Sequence, residues 1–201
     1  LPASLVGAAI GQVFFQRASE AKHEGRAQLA LVVEGTAKRL ILLGFPVILL
    51  LSIIGEQAFI VVFGAKWAEA GIYTQILSFW ILVQFVTSPL STLFSIFNKL
   101  RPLLLLNAIT LLVRAGALIV GGVLNDVYLS IALFTASGAI IYLLVGRWFF
   151  IESGVSISRL FKSISKELTI GLLLLGLVAI VNHILVLRPI ISLIIGIIAI
   201  M

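Results

Sequence analysis

The chain has 201 residues, of which 61% are hydrophobic and only 11% charged, and its mean hydropathy is +1.24. A soluble domain carries about a quarter charged residues, so this composition excludes a water-soluble globule, and its apolar content excludes disorder. The absence of cysteine excludes disulfide frameworks, thiolate metal sites and cysteine nucleophiles, while the net charge of +6 in so apolar a chain points to basic loops beside a membrane rather than to nucleic acid.

The apolar runs are far longer than the roughly ten-residue alternating strands of a membrane barrel. The expected fold is therefore an all-α integral membrane protein, a polytopic helical bundle in one transmembrane domain over 1–201. A bilayer core takes about 20 apolar residues of helix, and on that scale the chain divides into seven segments. They cover about 1–16, then 40–54 with an amphipathic lead-in from Leu29, then 72–97, 102–124, 127–150, 168–187 and 189–201. Six are complete or near-complete spans and the seventh is truncated. The chain opens at Leu1 and ends inside an apolar run at Met201, so a fragment of a larger membrane protein is expected. The first residues carry no charged n-region and no convincing cleavage site, unlike a signal peptide.

In the first span Gly7 and Gly11 form a small-xxx-small pair suited to close helix packing, and Gln12 and Gln16 lie one turn apart. Pro46 and Pro89 fall inside spans and should kink them. Pro102 and Pro189 stand in first turns, where the missing N–H costs little.

Charge then orients the chain. Arg17, Lys22, Arg26, Lys38 and Arg39 follow the first span, Lys99 and Arg101 the third, and Arg147, Arg159, Lys162 and Lys166 the fifth, against Lys66 and Arg188 on the other side. This alternation obeys the positive-inside rule and places 17–39, 98–101 and 151–167 in the cytoplasm. Within the last of these, Ile157, Leu160, Phe161 and Ile164 recur at helical spacing opposite Arg159, Lys162 and Lys166. Two readings fit: a short interfacial helix or a solvated basic linker.

No phosphate-loop pattern, no His-Glu-x-x-His and no carboxylate cluster is present, so no enzyme, no cofactor and no metal site is expected. His23 sits in a charged loop and His183 near the outer end of the sixth span. The acidic residues fall in loops or at span ends. The polar residues inside spans are more telling. Arg114 stands about the middle of the fourth span, where an arginine costs on the order of 2.5–3.5 kcal/mol on insertion scales. Asn107 and Thr110 precede it by seven and four positions on the same face. In the third span Gln84, Ser88, Ser91, Ser95 and Asn98, with Thr87 beside them, form a stripe that either joins helices by hydrogen bonds or lines a wet cavity.

The stretch Gly-Gln-Val-Phe-Phe-Gln-Arg-Ala-Ser-Glu-Ala-Lys (11–22), the outer turn Val62-Phe-Gly-Ala-Lys-Trp-Ala-Glu-Ala-Gly-Ile-Tyr, then Gln84-Phe-Val-Thr-Ser-Pro-Leu-Ser and the turn Asn98-Lys-Leu-Arg-Pro follow in an order that resembles the polysaccharide biosynthesis proteins. These are the O-antigen and exopolysaccharide repeat-unit flippases of the bacterial inner membrane, in the multidrug/oligosaccharidyl-lipid/polysaccharide exporter superfamily. The resemblance covers about residues 1–125. It implies the second lobe of a two-lobe transporter, not an enzyme, moving polyprenyl-diphosphate-linked oligosaccharide to the periplasmic leaflet for O-antigen, lipopolysaccharide, capsule or exopolysaccharide synthesis. It implies that Arg114 neutralises the diphosphate and that Asn107, Gln84 and Gln12 hydrogen-bond sugars. A monomer in contact with membrane lipids is expected, with room for a coupling ion (H+ or Na+) and for association with polysaccharide polymerase machinery. The alternative in the same superfamily is a multidrug/cation antiporter, which needs acidic residues inside spans. A membrane-embedded polymerase would need a larger outer loop, and a purely structural subunit has no reason to hold Arg114 and Gln84 at depth.

Overall fold

The computed structural model describes residues 2–185, with the side chains of 10–173 and 176. The expected segment 189–201, the end of 168–187, the packing at Gly7 and the side chain of His183 lie outside what is described. The described residues form seven α-helices in order: α1 (Pro2–Glu24), α2 (Arg26–Phe63), α3 (Ala68–Leu90), α4 (Leu93–Ile96), α5 (Leu100–Val123), α6 (Val127–Ser153) and α7 (Ile157–Leu185), with a 3-10 turn at Ala65–Trp67 before α3. The described residues contain no strand. Four helical segments are long and apolar enough to cross a membrane: α2, Ala65–Ile96, α5 and α6. They hold the spans expected at 40–54, 72–97, 102–124 and 127–150.

Of the expected spans 1–16 and 168–187, the described residues 2–16 and 168–185 are helical, in α1 and α7.

The segment 17–39, expected as a loop, is helical except at Gly25. Gly25 has φ 128°, a conformation that costs a glycine little, so one residue turns the chain from α1 into α2. At about 1.5 Å per residue the 38 residues of α2 run well beyond the roughly 30 Å of a bilayer core, which carries the basic first turns past the apolar zone. The segment 151–167 is likewise neither a linker nor a separate interfacial helix. Gly154, at φ 80°, caps α6, and α7 starts at Ile157 and continues to Leu185. Leu160 and Ile164 are buried while Phe161 is 61% exposed, and Lys38 Nζ donates to the Ser163 carbonyl at 2.9 Å. The apolar stripe of the first turns is thus spent on α2 rather than on lipid.

Proline does not mark the bend of α2. The residue with non-helical dihedral angles there is Ile54 (φ −115°, ψ 19°), two turns past Pro46. Gly55 and Gly71 explain the position: a Cβ on Gly71 would stand 2.5 Å from Glu56 Cα and 2.6 Å from the Gly55 oxygen, so α2 and α3 touch backbone to backbone. Gln75 Nε2 donates to the Ile53 carbonyl at 3.0 Å, supplying a partner at the break. After Pro89, α3 ends at Leu90 and helix resumes as α4. Here Thr87, Ser91 and Thr92 donate to the carbonyls of Val83, Ser88 and Pro89. This part of the expected polar stripe therefore serves its own backbone, where proline has removed a donor. Gly11 also departs from expectation, since a Cβ there would meet nothing within 4 Å. Instead, α1 packs through Phe14, Ala18 and Ala21, all buried.

Helix α2 packs on α1, α3, α6 and α7; α6 lies between α3 and α5. The main apolar core gathers Phe14, Ala18, Leu29, Val33, Leu90, Phe94, Phe149 and Leu160 at the end of the bundle where the three basic segments meet. That meeting is direct: Lys22 Nζ donates to the Ile96 carbonyl, Arg26 Nη2 to Ile151 at 3.1 Å, and Lys99 Nζ is 3.9 Å from Glu152. Cations at helix C-termini also oppose the negative end of the helix dipole. At the other end the Phe63 and Trp67 rings meet at a tilt, 5.8 Å apart, and Tyr73 meets Tyr128 edge-on at 5.7 Å.

Candidate functional site

Helix α5 is apolar on nearly every side, with Leu104, Leu105, Leu111, Leu112 and Ile119 all exposed, as suits lipid. Its fully buried residues are Ala117 and Gly121. Arg114 precedes them by three and seven positions, which puts it on the one stripe that faces α6.

The guanidinium of Arg114 is enclosed by aromatic rings. Its carbon lies 4.6 Å from the Trp80 ring, 4.6 Å from Phe134 and 5.7 Å from Tyr142. Trp80 belongs to α3, so the arginine of α5 reaches past α6 to meet it. Gly138 makes that possible: a Cβ there would stand 2.7 Å from Trp80 Cδ1 and 3.1 Å from Arg114 Nη2. Phe134, Gly138 and Tyr142 are spaced by four on α6, so two rings flank a window left by a glycine.

No acidic group pairs with Arg114 among the described residues. Its Nε and Nη2 are buried without a hydrogen-bond partner, as is Nε1 of Trp80 beside it. A desolvated cation–π contact contributes about 2 kcal/mol, so the rings offset much of the insertion cost. They accept no directed N–H bond, however, and each orphaned buried donor costs about 1–3 kcal/mol. The site is a cation held by π-faces with several donors unmet, which is the chemistry of a receiver for an anion or for ordered water. No carboxylate triad or metal-ligand cluster exists among the described residues.

The other expected site residues are dispersed. Asn107 is exposed on the flank of α5, while Leu103 and Leu106 take the packed positions at that level and the Thr110 hydroxyl donates to its own helix at Leu106. Gln84 is half-buried one turn along α3 from Trp80. Gln12 is exposed on α1, which packs on α2, α3 and α4. His23 is exposed near the end of α1. The structure thus joins Arg114 to Trp80, Phe134 and Tyr142 rather than to Asn107, Gln84 and Gln12. The signal for this partnership was the four-residue spacing of Phe134, Gly138 and Tyr142, but aromatics at that spacing occur in any apolar helix.

Glu56 is inside α2, just past the bend at Ile54, and Gln57 beside it has a buried Oε1 without a partner. Compared with protein-family models, with curated proteins and with solved structures, the chain matches none.

Proposed function

We propose that this chain is part of a membrane transporter that moves an anionic, lipid-linked substrate, of the class of polyprenyl-diphosphate oligosaccharides, across the bacterial inner membrane. In this reading the helices form six complete or near-complete spans plus a seventh, as one lobe of a two-lobe, multi-pass protein. The observation that carries it is Arg114, unpaired near the middle of an apolar helix with two buried donors unmet. A diphosphate supplies the charge-assisted acceptors that those donors lack. It is also a group that lipid cannot solvate. Gln84 and Asn107 offer amides at neighbouring levels for sugar hydroxyls, and Gln12 offers one from the exposed face of α1.

The test uses the whole protein in a bacterial strain deficient in its own repeat-unit flippase. Surface polysaccharide is measured at matched membrane levels. Wild type should restore polysaccharide, Arg114→Ala should not, and Arg114→Lys should restore part, since it keeps the charge but loses the bidentate fork. Full restoration by Arg114→Ala would refute the reading.

One observation favours a multidrug/cation antiporter instead. Glu56 and the unmet Gln57 Oε1 adjoin the bend of α2, and interrupted helices are where transporters coordinate cations. Under that reading the wild type restores no polysaccharide in that strain, and Glu56→Gln, not Arg114→Ala, abolishes drug efflux in an efflux-deficient strain.

A further inference from the structure

The basic end of the bundle contains a cavity of about 380 Å³ lined by Lys22, Arg26, Leu29, Phe97 and Glu152. Its volume is within the range of small-ligand sites, about 300–1,000 Å³. Both cations are held by backbone oxygens. Lys22 Nζ donates to the Ile96 carbonyl and stands 5.4 Å from the Phe97 ring centroid. Arg26 Nη2 donates to Ile151, and its stem crosses Gly154, where a Cβ would meet Arg26 Nε at 3.1 Å. A lysine has three donors and an arginine five, so each keeps donors for a ligand after making its structural bond. Glu152, the one acid of the lining, is shared with Lys99 at 3.9 Å. The cavity therefore presents two pre-positioned cations, neither within ion-pair distance of a carboxylate among the described residues, with Glu152 as the opposing charge in its wall. Leu29 and Phe97 give it an apolar wall.

We infer that this cavity binds the phosphate of an anionic phospholipid head group, with Lys22 and Arg26 as its ligands and the Leu29–Phe97 wall against the glycerol and first methylenes. Basic pockets between membrane helices suit such head groups, and the cavity lies where long apolar helices end. A free phosphate shares the ionic chemistry but makes no use of the apolar wall. The site is separate from Arg114, which lies near the middle of α5, so it stands whether or not the chain carries lipid-linked sugars.

The experiment is native mass spectrometry of the detergent-purified protein with phosphatidylglycerol, phosphatidylcholine or inorganic phosphate. The variants are Lys22→Gln with Arg26→Gln, in which each amide can still donate to the helix carbonyl while the charge is gone. One phosphatidylglycerol should be retained per chain, with phosphatidylcholine retained less. The double variant should bind about thirtyfold more weakly, from about 1 kcal/mol for each of the two lost cations. Glu152→Gln removes a repelling charge without touching either cation and should bind more tightly, a readout that survives even if the double variant does not fold. Equal retention of the two lipids, unchanged binding in a folded double variant, or weaker binding in Glu152→Gln would each overturn the inference. Inorganic phosphate binding as tightly as phosphatidylglycerol would overturn the lipid assignment.

Discussion

At the residue scale the functional reading turns on how Arg114 is tolerated among apolar helices. Its three rings replace a counter-ion, and that arrangement depends on the absence of a side chain at Gly138. Gly138→Ala should therefore displace the Trp80 ring or the guanidinium, since the new Cβ would stand 2.7 Å from Trp80 Cδ1. The expected outcome is normal membrane insertion with a red-shifted Trp80 emission and reduced transport, read in a variant whose Trp67 and Trp148 are phenylalanine. Unchanged emission and transport would show that the window does not matter. Arg114 itself was legible in the sequence because a lone charge in a long apolar run stands out. Its partners were not, because Trp80, Phe134 and Tyr142 are ordinary residues of apolar helices and lie far apart in the chain. Asn107 shows the limit of face arithmetic: it is seven residues from Arg114, yet α5 packs through Leu103 and Leu106 at that level, leaving the amide exposed.

At the element scale the instructive helix is α2. Gln75→Leu removes the donor that meets the part-buried Ile53 carbonyl at the bend, a loss of about 1 kcal/mol. Thermal unfolding in detergent should show that loss, while Gln75→Glu, which cannot donate when ionised, should be no better than Leu. Gly71→Ala should be at least as damaging, because its Cβ would strike backbone atoms of Glu56 and Gly55, and backbone does not repack as a side chain can. At the start of α6, Asp126 accepts from the Leu129 N–H at 3.0 Å, and Asp126→Ala should cost about 1 kcal/mol in the same measurement. Four membrane-length helices were legible because length and apolarity are additive along a segment. Their ends were not. Charged residues mark the edge of an apolar zone but do not end a helix: Arg17-Ala-Ser-Glu-Ala-Lys and Arg26-Ala-Gln-Leu-Ala are good helix formers, so α1 and α2 continue through what hydropathy alone reads as a loop. The bend at Ile54 was hidden for a different reason, since it depends on a contact with α3 and not on Pro46.

At the scale of the whole molecule, the alternation of basic segments and the contacts of Lys22, Arg26 and Lys99 place the basic residues of 17–39, 98–101 and 151–167 at one end. If that end is cytoplasmic, as the positive-inside rule requires, cysteines at the exposed positions His23 and Lys162 should be shielded from an impermeant thiol reagent in intact cells, and one at Ala65 should label. The reverse pattern would invert the topology and remove the cytoplasm-to-periplasm direction of transport. The arrangement of spans was readable because charge and apolarity alternate together; the route of a substrate was not, because it depends on which polar groups face one another across helices. The most direct measurement is lipid flipping by the purified whole protein in proteoliposomes, using a fluorescent polyprenyl-diphosphate oligosaccharide quenched from outside. The account predicts rapid quenching with wild type, a rate near that of protein-free vesicles for Arg114→Ala, and an intermediate rate for Arg114→Lys. Flipping by Arg114→Ala at the wild-type rate would contradict it.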